Sequence, residues 1–120
     1  MNINEDKYFL AITLNEDNRH IGNIKLALKP MHNTGEISLF IGDKSQWGKG
    51  IGTEAIALVR DFGLNNLGLA KLTAGCYAGN VGSARAFEKC GFQREAVLKS
   101  EYVSGERRLD GYRFAYFKVN

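Results

Sequence analysis

Between Ser45 and Ala55 the chain reads SQWGKGIGTEA, with Gly48, Gly50 and Gly52 at alternate positions, Lys49 between two of them, and a helix-like run after them. Glycines let a backbone turn tightly and approach a ligand, and free amides at a helix start favour an anion by about 0.3–1 kcal/mol. This is chemistry for holding a phosphate. A Walker A loop is excluded, because Gly42 stands one residue too far from Gly48 and Gly50 follows Lys49 where a Ser or Thr would bind magnesium. A dinucleotide fingerprint is excluded as well: Gly48 and Gly50 fit its first two glycines, but Thr53 occupies the third, and the preceding segments look antiparallel rather than βαβ. Two readings stay open on these residues alone: a pyrophosphate bound without metal, or a tight turn whose glycines pack a strand against a helix.

Other reactive residue types are less productive. Cys76 and Cys90 lie in apolar segments with no CxxC and no His at ligand spacing, so they read as buried small hydrophobes and not as a disulfide, a zinc site or a nucleophile. His20 and His32 lack a nearby acid or cysteine pattern and read as turn or surface residues. No metal is expected.

The elements that must position the glycine stretch follow from hydrophobic periodicity. YFLAITL (Tyr8 to Leu14) and HIGNIKLAL (His20 to Leu28) are apolar runs split by the polar cluster NEDNR, which predicts an antiparallel hairpin. After the turn KPMHNTG, the alternation in EISLFI places Ile37, Leu39 and Ile41 on one face of a strand and Glu36, Ser38 and Phe40 on the other. Ala55, Ile56, Val59 and Phe62 then recur at helical spacing until Asn65 and Asn66. KLTAGCY (Lys71 to Tyr77) is a strand, Asn80 is an N-cap for a helix carrying Ala84, Phe87 and Glu88, and Gly91 stops that helix with Phe92 placed for a hydrophobic C-terminal contact. Gln93 to Val119 reads as a long hairpin turning at Ser104-Gly105. The order is three strands, a helix, a strand, a helix and two strands: an α+β domain with helices against a largely antiparallel sheet.

The totals agree with one domain over residues 1–120. A chain of 120 residues, 44% hydrophobic and 24% charged, has an ordinary globular composition. The opening MNINEDKYFL is not a signal peptide and no apolar run is long enough to span a bilayer, so a cytoplasmic protein without membrane partners is expected. The net charge of +3 comes from basic residues interspersed with acids, such as Arg94 with Glu95 and Lys99 with Glu101, which argues against a nucleic-acid stripe.

Taken together, WGKGIGTEA and NVGSARAFEKCGF (Asn80 to Phe92) resemble the GCN5-related N-acetyltransferase (GNAT) family, and more closely its branch of ribosomal-protein alanine and amino-sugar acetyltransferases. That family's coenzyme A loop is Q/R-x-x-G-x-G/A. Gly50 and Gly52 fill its last two fixed positions and Trp47 stands where Gln or Arg is usual. The second block is similar to N-x-x-S-x-R-x-x-E-K-x-G-F, matched by Asn80, Ser83, Arg85, Glu88, Lys89, Gly91 and Phe92. The resemblance extends from Tyr8 to Val119.

It implies acetyl-coenzyme A as co-substrate, a primary amine as acceptor, and a GNAT-like fold. The backbone of Phe40 and Ile41 would pair with the pantetheine arm, amides of Trp47, Gly48, Lys49, Gly50, Ile51, Gly52 and Thr53 would cradle the pyrophosphate, and Asn80 and Ser83 would lie beside the pantetheine. Members usually open with a strand and two helices ahead of the segment where this chain starts, so the expectation is an N-terminally shortened fold with a second copy, a homodimer, covering exposed sheet. Relatives also carry a tyrosine just before the Glu-Lys pair to protonate the departing thiolate, where this chain has Phe87. Glu36 is the expected general base, acting through water, with Tyr77 or Ser83 as substitute acid. Deprotonating an alkylammonium by solvent alone costs roughly 4.6 kcal/mol at pH 7, whereas releasing an unprotonated thiol of ordinary acidity costs only about 2 kcal/mol. A base therefore matters more than an acid. The rival readings are an acyl-coenzyme-A-binding module with weak or no turnover, and a basic nucleic-acid-binding domain, which lacks an aromatic-basic motif.

Overall fold

The elements appear in the expected order in the computed structural model, which describes residues 6–14, 18–42, 48 and 50–118. They are β1 (Lys7–Thr13), β2 (His20–Lys29), β3 (Thr34–Ile41), α1 (Ile51–Asp61), β4 (Lys71–Tyr77), α2 (Val81–Lys89), β5 (Gln93–Ser104) and β6 (Arg107–Phe117). One six-stranded sheet runs β1-β2-β3-β4-β6-β5. Every neighbouring pair is antiparallel except β3 and β4. A parallel pair needs a crossover, and α1 supplies it, so the glycine stretch sits inside a βαβ unit even though the strands before it are antiparallel as read.

Strand alternation divides the sheet into two faces. Leu26 on β2, Ile37 on β3, Ala74 on β4 and Phe114 on β6 share one register row. All four are buried together with Ile56 and Val59 of α1 and Phe87 of α2. Both helices therefore cover this face, and their apolar stripes supply the other half of the core. The opposite, open face carries no helix among the described residues; in its row of Glu36, Thr73 and Ala115 the last two are buried, whereas Phe9 and Phe40 on the same face are exposed. There Glu95 of β5 bridges Lys71 of β4 at 2.5 Å and Arg113 of β6 at 3.3 Å, and the Lys71 hydrogen bond holds its carboxyl below the ordinary range.

Local signals set both helix ends of α2. Asn80 Oδ1 accepts the Ser83 amide at 3.1 Å. At the other end Gly91 takes φ +89, its amide reaches Glu88 O at 3.0 Å, and the Phe92 amide reaches Phe87 O at 3.0 Å. The Phe87 and Phe92 rings meet at 5.3 Å, completing a Schellman stop. Asn80→Ala is expected to lower stability by about 1 kcal/mol, read as a reduced urea midpoint with unchanged slope. α1 ends less simply. It widens into a π turn over Phe62–Asn66, where Gly63 lies so close to Leu72 and Leu69 that an added Cβ would stand 3.2 and 3.3 Å from them.

The cysteines are buried and free, as read. Burial pushes both thiols up, and Cys90 Sγ–H donates to Thr53 O at 3.3 Å, tying α2 to the first turn of α1. The last hairpin turns at Gly105-Glu106, one residue beyond the expected centre, with Ser104 paired to Arg107. Among the described residues, no helix is long and apolar enough to cross a membrane.

Candidate active site

β3 and β4 pair only along Thr34–Ile37 and Lys71–Ala74. Beyond those rungs β3 stays with β2 as far as Ile41 and β4 stays with β6 as far as Tyr77. The sheet thus splits into two halves that separate at the carboxyl ends of the parallel pair. In open α/β sheets such ends are where ligands bind, because exposed strand edges and a following helix N-terminus face the same space.

α1 begins at this opening. Its N-cap is Gly50, at φ +80, and Gly48 has φ +78, so both glycines take the left-handed conformation that other residues adopt at a cost. Gly52 has a different reason: a Cβ there would meet Leu39 Cδ2 at 3.3 Å and Ile41 Cδ1 at 3.6 Å, so the first turn rests directly on β3. No side chain among the described residues caps this helix. The leading amides of a helix lack intrahelical partners, and here Ile51, Gly52 and Thr53 carry them. Trp47 and Lys49 lie outside the described residues.

The remaining expected residues distribute over both sides of the opening. Glu36 stands on β3, half-buried on the open face, opposite Thr73 at the penultimate shared rung. Phe40 is 66% exposed on that face, while Ile41 points to the helix side. Tyr77 ends β4 on the open face, 46% exposed. Ser83 belongs to the first turn of α2, which packs on the other face, so Ser83 is not grouped with Glu36 and Tyr77. Asn80 spends its side-chain oxygen on the helix cap. Phe87, where the resemblance anticipates an acid, is 1% exposed and stacked at 5.9 Å on Phe114. It is core.

One residue in this region escaped the sequence reading. Tyr102 of β5 reaches across two strands: a Cβ at Gly111 would lie 2.4 Å from its Cε2, and one at Gly75 would lie 3.1 Å from its hydroxyl. Its ring meets Tyr77 edge-on at 4.7 Å. Burial, then the charge of Glu101, and further on that of Glu36, hold its phenol above the ordinary value, so it is protonated at neutral pH. Among the described residues no group of His, Cys, Asp and Glu is arranged to hold a metal.

Known proteins resemble this chain both in sequence and in fold. The family described as "Acetyltransferase (GNAT) domain" matches residues 1–93. The chain belongs to the GNAT family. Among GNAT relatives it is 36% identical over 97 residues to the probable N-acetyltransferase YjcK of Bacillus subtilis, covering 79% of this chain and 53% of that one. It is 36% identical over 84 residues to human alpha/beta-tubulin-N-acetyltransferase 9, covering 68% and 41%. The chain therefore spans about half the length of these relatives. A GNAT-family acetyltransferase from Bacillus anthracis superimposes with a TM-score of 0.80 at 26% identity, over 91% of this chain and 65% of that one. A spermidine N-acetyltransferase SpeG chimera of Vibrio cholerae and hSSAT superimposes at 0.84 with 22% identity, over 94% and 68%, a likeness of fold.

Proposed function

We infer that this chain is an acetyl-coenzyme-A-dependent N-acetyltransferase acting on a primary amine of a small molecule, an amino sugar by preference, or of a protein N-terminus. The observation that carries the reading is the opening between β3 and β4 that ends at the Gly50-capped start of α1. GNAT membership supports it. The residues present fit the co-substrate: the β3 backbone at Phe40 and Ile41 suits an extended amide arm added like a strand, and the amides of Ile51, Gly52 and Thr53 suit its pyrophosphate. Acetyl-coenzyme A supplies an activated acetyl thioester. Glu36, on the β3 lip, takes the ammonium proton through water, leaving the amine lone pair free to form the C–N bond as the C–S bond breaks. Asn80 and Ser83 hold the α2 start beside the arm, and Tyr77 lines the β4 lip. Of the relatives, human alpha/beta-tubulin-N-acetyltransferase 9 is named for a protein acceptor, and the SpeG chimera for spermidine. The amino-sugar preference rests on the second motif, Asn80 to Phe92.

The test pairs calorimetry of coenzyme A binding with thiol release from acetyl-coenzyme A against amino sugars, polyamines and peptides. Binding with amine-dependent release is the expected result; a folded protein that binds no coenzyme A overturns the reading. Gly50→Val sharpens it. Among the described residues nothing lies within 4 Å of the added Cβ, so the cost there is that of a β-branched residue at φ +80. That cost, about 1–2 kcal/mol, should weaken coenzyme A binding about tenfold.

A second reading, a coenzyme-A-binding module without turnover, is favoured by Phe87. Its ring is locked in the core and offers no proton to a departing thiolate. Binding without release in the same experiment selects it.

A further inference from the structure

The hairpin β5-β6 contains an irregularity that neither the core nor coenzyme binding requires. Leu98 pairs with Gly111 and Tyr102 with Leu109, so three residues of β5 lie opposite Asp110 alone. The extra length is held in a fixed shape. Ser100 takes φ +51, its amide donates to Asp110 Oδ1 at 2.9 Å, and its carbonyl accepts from Arg108 Nε at 2.9 Å. Bulges of this kind shift register, and this one sets Tyr102 opposite Leu109 rather than Arg107 while leaving it on the open face with Gly111.

Two further features accommodate that ring. Gly111 of β6 and Gly75 of β4 lie inside strands, where glycine weakens pairing and marks a close approach. The Tyr102 ring occupies the space above them: a Cβ at Gly111 would clash with Cε2 at 2.4 Å, and one at Gly75 would stand 3.1 Å from the hydroxyl. Tyr77 closes one side at 4.7 Å. Gly75 is the first β4 residue past the last rung shared with β3, so the phenol reaches the β4 lip while Glu36 stands on the β3 side. An aromatic edge pair opposite a carboxylate is a seat for an organic cation, which gains from ring faces and from the negative charge together.

We propose that Tyr102 is a specificity-determining residue of the acceptor site, forming with Tyr77 and Glu36 a seat for a primary alkylammonium across the mouth of the β3/β4 opening. The assignment takes its chemistry from the acetyltransferase reading and names the acceptor group that the site selects. A plain structural role for Tyr102 would leave discrimination between a cation and a neutral molecule of the same shape unaltered.

The experiment is an NMR titration of the whole chain with n-pentylammonium, and with n-pentanol as its neutral counterpart, in the presence and absence of coenzyme A. The wild type should bind the cation saturably, with shifts concentrated on Tyr77 and Tyr102 and with pentanol at least tenfold weaker. Tyr102→Leu should weaken the cation about tenfold and leave pentanol unchanged, and Gly111→Ala, which pushes the ring aside, should do the same. Tyr102→Phe keeps the ring and should stay within about threefold of wild type. Cation affinity indifferent to Tyr102→Leu, equal binding of pentanol, or no saturable binding overturns the proposal. Shifts located elsewhere in the wild type overturn it even if a variant does not fold. Coenzyme A titration separates the two ideas: amine binding without coenzyme A binding removes the acetyltransferase reading and keeps this seat, while the reverse result removes the seat alone.

Discussion

Glu36→Gln should lower kcat/KM for amine acetylation about 10²–10³-fold while coenzyme A affinity stays within about twofold. The substitution keeps the shape and polarity of the side chain and removes its negative charge, and with it the capacity to take a proton. Glu36 is half-buried on the open face and sits in register with Ala27 and Thr73, so the amide has room and the β3 backbone offered to the pantetheine is unchanged. Without the carboxylate, solvent must deprotonate an ammonium whose pKa is about 10.4, so the variant's log kcat/KM should climb with pH by roughly one unit per unit through the neutral range. Steady-state kinetics from pH 6 to 9 checks both statements. A loss smaller than threefold would remove Glu36 from the proton path.

Phe114→Ala should cost about 3–5 kcal/mol of folding stability, the usual range for emptying a buried aromatic position. Phe114 is 1% exposed, stacks on Phe87 at 5.9 Å and meets Tyr112 edge-on at 6.3 Å, so its removal leaves a hole between α2 and the sheet. Against a total of about 5–15 kcal/mol for an ordinary domain, that is roughly a fifth or more, and the melting temperature should fall by roughly 10–20 °C. Circular dichroism during heating measures it. The same position matters for the site because Phe114 pairs with Ala74, the last β4 residue joined to β3. Loosening there acts on the hinge of the opening, so coenzyme A binding should weaken along with stability.

How much of this was legible in the chain depends on the distance over which each feature is decided. The α2 helix was legible from end to end, since Asn80 caps an amide three residues away and Gly91 and Phe92 close onto Glu88 and Phe87. The faces of β3 were equally plain from the alternation around Ile37, Leu39 and Ile41. The glycine stretch was legible only as a choice between anion binding and tight packing. The fold gives Gly52 the packing role against Leu39 and Ile41, and gives Gly50 a left-handed cap over uncapped amides. Tyr102 was not legible. Its placement depends on a bulge stabilised by Asp110 and Arg108 from the next strand, and on two glycines in β4 and β6. Gly75 and Gly111 inside apolar runs were the available signal, but a strand glycine does not name the side chain that fills the space above it.

By itself, then, the sequence determined the order and ends of the elements, the buried stripes, the two motifs and the family they resemble. These depend on hydrogen bonds and periodicities within a few residues, which the chain carries wherever it goes. Tertiary structure alone decided that β3 and β4 lie side by side, that they part after Ile37 and Ala74, and that Glu36, Tyr77 and Tyr102 share the open face beside that parting. Strand register and crossover are settled by packing among segments dozens of residues apart, where one residue of slip would reverse every face.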